Sequence, residues 1–218
     1  MKKLIVGNWK MNPQTPLKAK QLFTSVKRGI KNVKNVEIVI CPPFVYIDGL
    51  RKTAGNLQLG SQNCFWEEKG AFTGEISPLM LKSLGVKYVI IGHSERRKYL
   101  KETDEALNKK IQAALRAGLK PILCIDKISQ VPKKVKGFSA VAYEPLFAIG
   151  TGKACSPERA KKMRLLIMKK AKVPVLYGGS VNSQNAKDYI KKAGFQGLLV
   201  GGASLKSKEF IEIIKNAA

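Results

Sequence analysis

Between Ala142 and Gly152 the chain reads A-Y-E-P-L-F-A-I-G-T-G. A carboxylate, Glu144, stands where an apolar run over 138–142 ends. Pro145 stiffens the chain after it, and Gly150 and Gly152 permit backbone angles that other residues resist. That order describes a base at the root of a loop able to swing, although an ordinary strand-to-helix loop can carry the same residue types. The single histidine, His93, precedes Ser94-Glu95-Arg96, which read as the first turn of a short helix. The positive end of such a helix favours a neutral imidazole, a hydrogen-bond donor suited to polarising a carbonyl. Gly178-Gly179-Ser180 and Gly201-Gly202 offer backbone N–H groups that an anion can approach closely, and Gly150 adds another. Lys10 brings an ammonium able to neutralise a phosphate or a developing oxyanion. Each has a plainer reading alone: a structural histidine, turn glycines, one surface lysine among many.

The elements that must position these residues alternate along the chain. Short apolar runs near 4–7, 37–40, 57–60, 88–91, 121–124, 139–142, 175–177 and 198–200 read as parallel strands. Between them, apolar residues recur at helical spacing, as in Leu22, Val26 and Ile30, or Ala186, Tyr189, Ile190 and Ala193. Ser156-Pro157-Glu158 has the order of an N-cap, a first-turn proline and an acid near the positive helix end. Eight such units predict a closed (β/α)8 barrel, in which chemistry belongs at the C-terminal ends of the strands. Asn8 and Lys10 after strand one, His93 and Glu95 after strand four, and Glu144 after strand six would ring one mouth with the two glycine pairs. The fifth unit is short: 126–137 is interrupted by Pro132, so a thin spot is expected in the outer helical layer. The long connection 62–75 carries Phe65, Trp66 and Phe72, which favour a partner surface over a loop folded on its own barrel.

With 218 residues and no linker-like tract, residues 1–218 read as one domain. The opening M-K-K-L-I-V is cut off by Asn8, Trp9 and Lys10, far short of a signal or spanning segment, so a cytoplasmic protein without a membrane role is expected. Cys41, Cys64, Cys124 and Cys155 are widely separated, which suggests neither a zinc site nor a disulfide framework; Cys155, near a helix N-terminus, is a candidate reactive thiol. Forty Lys and Arg against 15 Asp and Glu give a net charge of +25. The lysines look scattered over outer helix faces, so nucleic acid is not expected as the main partner.

Six segments, in order along the chain, carry a resemblance. G-N-W-K-M-N at 7–12, Q-N-C at 62–64 with G-A-F-T-G-E at 70–75, G-H-S-E-R-R at 92–97, A-Y-E-P-L-F-A-I-G-T-G-K at 142–153, Y-G-G-S-V-N at 177–182 and V-G-G-A-S-L at 200–205 are similar to those of the triosephosphate isomerases. The resemblance implies a TIM barrel, from which this chain departs by its truncated fifth βα unit, and the interconversion of dihydroxyacetone phosphate and glyceraldehyde 3-phosphate through an enediolate, without cofactor or metal. It implies Glu144 as the base and His93 as the electrophile, the pairing already described for that family. Lys10 would stabilise charge beside Asn8, with Glu95 as its partner. Gly150, Ser180, Gly201 and Gly202 would hold the phosphate, and Ile149 and Leu199 would clamp the base in apolar surroundings. A homodimer through the 62–75 loop, with Phe65, Trp66 and Thr73, is implied too. The chain departs from the family at Asp126-Lys127, where Gly-Glu is usual, and at Phe147, where tryptophan is usual.

Two other classes stay open. A sugar-phosphate lyase or epimerase on the same barrel would need a Schiff-base lysine within a strand or metal ligands, and the strand runs carry neither. A basic nucleic-acid-binding protein on an impaired barrel would bind in a salt-sensitive way that survives loss of Glu144.

Overall fold

The computed structural model describes residues 2–55, 57–132, 137–148 and 154–218. Eight parallel strands close a barrel in sequence order: β1 Lys3–Asn8, β2 Val36–Cys41, β3 Gln58–Ser61, β4 Tyr88–Ile91, β5 Lys120–Ile125, β6 Ala140–Tyr143, β7 Val175–Tyr177 and β8 Gly197–Val200. Every strand overlaps its expected run, and closure follows from β1 pairing with both β2 and β8. The strands are buried on both faces because all of them except β3, which supplies only Leu59, contribute to two cores. Val6, Val39, Tyr88, Ile90, Ile122, Leu176 and Leu199 fill the barrel, whereas Ile5, Ile40, Ile91, Leu123 and Val141 face the helices.

The helices are α1 Pro16–Gly29, α2 Phe44–Arg51, α3 Pro78–Ser83, α4 Ser94–Tyr99, α5 Asp104–Arg116, α6 Pro157–Ala171, α7 Ser183–Lys191 and α8 Ser207–Ala217. Their starts are written in the sequence. Thr15, Thr103 and Ser156 accept the N–H groups of Lys18, Ala106 and Arg159, and Asn182 and Asn185 cap one another at α7. Each long helix buries one stripe; α8 buries Phe210, Ile213, Ile214 and Ala217 against the barrel, at about 1.5–3 kcal/mol for each large side chain.

The fourth unit carries two helices, α4 and α5. The connection after β5 carries, among the described residues, a single 3-10 turn over Ile128–Gln130. The helical layer is thin there, as the sequence predicts. Lys170 of α6 leans across to donate to the Ile128 carbonyl at 2.9 Å. No helix among the described residues is long and apolar enough to cross a membrane.

Candidate active site

At the C-terminal end of the barrel, Asn8, Lys10, His93, Glu144, Ser180, Leu199, Gly201 and Gly202 line one cleft of about 530 Å³. A second cavity of about 640 Å³ adjoins it toward the short fifth unit, sharing Lys10 and Glu144 and extending to Arg97, Asp126, Gln130 and Leu146. Asp126 therefore brings a carboxylate to this side of the mouth.

Lys10 sits at φ 55°, a left-handed conformation uncommon for a side-chain-bearing residue. Such a residue costs on the order of 1–3 kcal/mol and persists only where its neighbours hold it. They do so from both sides: Asn8 Oδ1 accepts the Lys10 N–H at 3.1 Å, and Gln62 Nε2 donates to the Lys10 carbonyl at 2.8 Å. The ammonium, so aimed, meets Glu95 Oε1 at 2.5 Å.

His93 is itself the N-cap of α4. The Glu95 N–H donates to its Nδ1 at 3.3 Å, which leaves the ring proton on Nε2. That nitrogen lies 3.2 Å from Glu144 Oε1, and the other carboxylate oxygen accepts the Ser94 N–H at 3.0 Å. Glu144 is only 2 % exposed. Beneath it, burial and the adjacent carboxylate hold the Cys124 thiol well above its ordinary pKa, so the base sits over a neutral group rather than a competing anion.

Gly178 makes room for this base. A Cβ there would lie 3.0 Å from Glu144 Cγ, 3.3 Å from the Tyr143 carbonyl and 3.6 Å from Leu199 Cβ. Leu199, 3 % exposed, thus packs near the carboxylate stem. A Cβ on Gly179 would collide with the Tyr177 hydroxyl, which accepts the Cys155 N–H at 3.2 Å. Asn185 donates to the Ser180 carbonyl at 3.1 Å, and the buried Ser204 donates to the Gly201 carbonyl at 2.7 Å. These bonds fix both glycine turns at the cleft, where the Gly178 N–H is itself spent on the Tyr143 carbonyl at 2.8 Å.

Ile149 and Gly150 lie outside the described residues. Cys155 corrects its sequence reading: it is 2 % exposed and burial pushes its thiol up, the opposite of an activated cysteine. Phe65 is also buried, 9 % exposed, stacked on half-buried Trp66 and tilted against Phe72. The 62–75 loop therefore packs on its own aromatics and presents Phe72 and Thr73 outward. Sequence reasoning missed Gln62 and Ser94 as holders of Lys10 and Glu144. The glycine after β7 was the available signal for Gly178, but it pointed to phosphate rather than to the base.

The fold and cleft define a class: a (β/α)8-barrel enzyme equipped for acid–base chemistry on a small anionic substrate. The family model for triosephosphate isomerase matches residues 3–217. The triosephosphate isomerase of Endomicrobium trichonymphae is 42% identical over 246 aligned positions that cover 98% of each chain. That of Alkaliphilus oremlandii is 43% identical with the same coverage. The crystal structure of triosephosphate isomerase from Bartonella henselae superposes with a TM-score of 0.87 at 32% identity, covering 99% of each chain. The chain belongs to the triosephosphate isomerase family. Its reaction is the interconversion of dihydroxyacetone phosphate and glyceraldehyde 3-phosphate, a step shared by glycolysis and gluconeogenesis.

Proposed function

We propose that Glu144, His93 and Lys10 carry this reaction. The carboxylate of Glu144 takes the proton from the carbon beside the substrate carbonyl and returns it to the neighbouring carbon. The His93 Nε2–H donates first to one substrate oxygen and then to the other, and the Lys10 ammonium steadies the negative charge of the enediolate. The observation that carries this reading is the convergence of the three side chains on one cleft, with the imidazole proton already on Nε2 and facing Glu144. To reach substrate, the carboxylate leaves the Ser94 N–H and its contact with His93. Asn8 and Glu95 position Lys10. Ser180, Gly201 and Gly202, joined by Gly150, hold the phosphate, and Ile149 and Leu199 enclose the base.

Turnover in D2O tests the proton route: solvent deuterium should appear on product carbon, and its absence would speak for a direct hydride shift instead.

We also infer a cytoplasmic homodimer joined through the 62–75 loop. Large apolar side chains stand exposed at Met11, Val45, Phe72, Leu79, Met80, Tyr99 and Leu100, all in the connections that follow β1 to β4. Leu146 and Phe147 after β6 are exposed as well, but the group after β1 to β4 is the larger and fits a second copy of the chain.

A further inference from the structure

The lysines that look scattered in sequence are gathered by the topology. In a parallel barrel every helix-to-strand connection arrives at the same face, the one opposite the cleft. Lys2 before β1, Lys31 and Lys34 before β2, Lys52 before β3, Lys87 before β4, Lys120 at the start of β5, Lys172 before β7 and Lys192 before β8 all arrive there. All eight are exposed. The helix-to-strand connections contain no Asp or Glu. The acids nearest to them in sequence, Glu37, Asp48 and Asp188, lie within β2, α2 and α7. Among the described residues only Lys192 of the eight is ion-paired, with Asp188 at 3.1 Å. Lys52, Lys172 and Lys192 also stand at helix C-caps, where a cation suits the negative helix end. Lys34, Lys87 and Lys120 lead into strands and serve no such purpose.

We propose that this face is a docking surface for the phosphate backbone of duplex nucleic acid, separate from the catalytic cleft. Seven ammonium groups without an ion pair among the described residues, on a face where acids are few, recognise a dense line of phosphates by charge alone. No large exposed apolar side chain among the described residues lies in these connections, so the face offers nothing to enter a bilayer. It offers no exposed aromatic for stacking unpaired bases either, which favours a duplex over a single strand. Recognition is independent of sequence.

The test is fluorescence anisotropy with a labelled 20-base-pair duplex, as DNA and as RNA, against the full-length protein and two triple charge reversals. Lys31→Glu/Lys34→Glu/Lys87→Glu alters the face; Lys161→Glu/Lys162→Glu/Lys169→Glu makes the same charge change on the outside of α6. The expected wild-type affinity is about 10 μM, with log Kd rising with log salt at a slope of about 4 to 6. The first variant should lose at least tenfold in affinity and about three in that slope, with isomerase turnover retained, and the second should lose less than threefold. Binding should be indifferent to inorganic phosphate at concentrations that inhibit turnover. Equal losses in both variants would overturn the proposal by showing a response to net charge alone. Binding to vesicles rich in anionic lipid but not to either duplex would overturn it in favour of a membrane surface.

Discussion

The backbone N–H of Ser94 holds Glu144 Oε2 at 3.0 Å, tying the end of β6 to the first turn of the helix that His93 caps. One short helix therefore serves both residues: its first N–H groups fix the imidazole tautomer and hold the carboxylate. Glu144 must exchange that bond for substrate, and its reach depends on how closely its surroundings are fitted.

Gly178→Ala tests the fit directly. The added methyl would press on the Glu144 stem at 3.0 Å and on the Tyr143 carbonyl at 3.3 Å. A displaced base should lower kcat by roughly ten- to hundredfold, with a small change in KM. Steady-state kinetics beside a thermal melt would separate this from unfolding, and an unchanged kcat would show that the base has slack.

Lys10 is held at a left-handed backbone angle between Asn8 and Gln62. Lys10→Met should reduce kcat/KM by about 10²–10³-fold. Gln62→Leu, which leaves the ammonium in place but frees the carbonyl, should give a smaller loss of the same kind. Equal losses in the two variants would mean that Gln62 supports more than this lysine.

Much of this was legible in sequence, and the reasons differ by residue. The eight strands are short apolar runs between capped helices, so local composition marks them. Glu144, His93 and Lys10 stand at strand ends, where the fold class directs attention. Gln62 and Ser94 were not legible, because their partners lie 52 and 50 residues away and a backbone N–H has no sequence signature. The basic face was hidden for a related reason: eight lysines spread along the chain become neighbours only through the repeated return to one end of the barrel.

Stability should be most sensitive at a buried ion pair away from the cleft. Lys110 Nζ lies 2.5 Å from Glu102 Oε1, with their side chains 4% and 8% exposed, and also donates to Asn63 Oδ1 at 2.9 Å. Lys110→Met would leave the buried carboxylate with Arg96 alone, at a cost of about 3–5 kcal/mol, and lower Tm by about 10 °C. Calorimetry gives the value. A shift of only a degree or two would show that Arg96, 2.8 Å from the same oxygen, suffices.

Thiol reactivity follows burial. All four cysteines are free and buried, and burial pushes the Cys64 thiol up to about 12. The native protein at pH 8 should show no rapidly titrating thiol, and all four should appear on denaturation. One fast thiol in the native state would contradict the packing around Cys155.

The dimer should depend on the exposed tip of the 62–75 loop. Thr73→Arg is expected to elute at half the mass of the parent on size exclusion. A parent already monomeric at micromolar concentration would dispose of the dimer.

The most direct measurement is turnover of glyceraldehyde 3-phosphate by the parent protein and Glu144→Gln side by side, with circular dichroism to confirm equal folding. The amide keeps the shape of the carboxylate but cannot accept the proton, so kcat should fall by about 10²–10⁴-fold with little change in KM. A folded variant that turns over within tenfold of the parent would show that another group removes the proton.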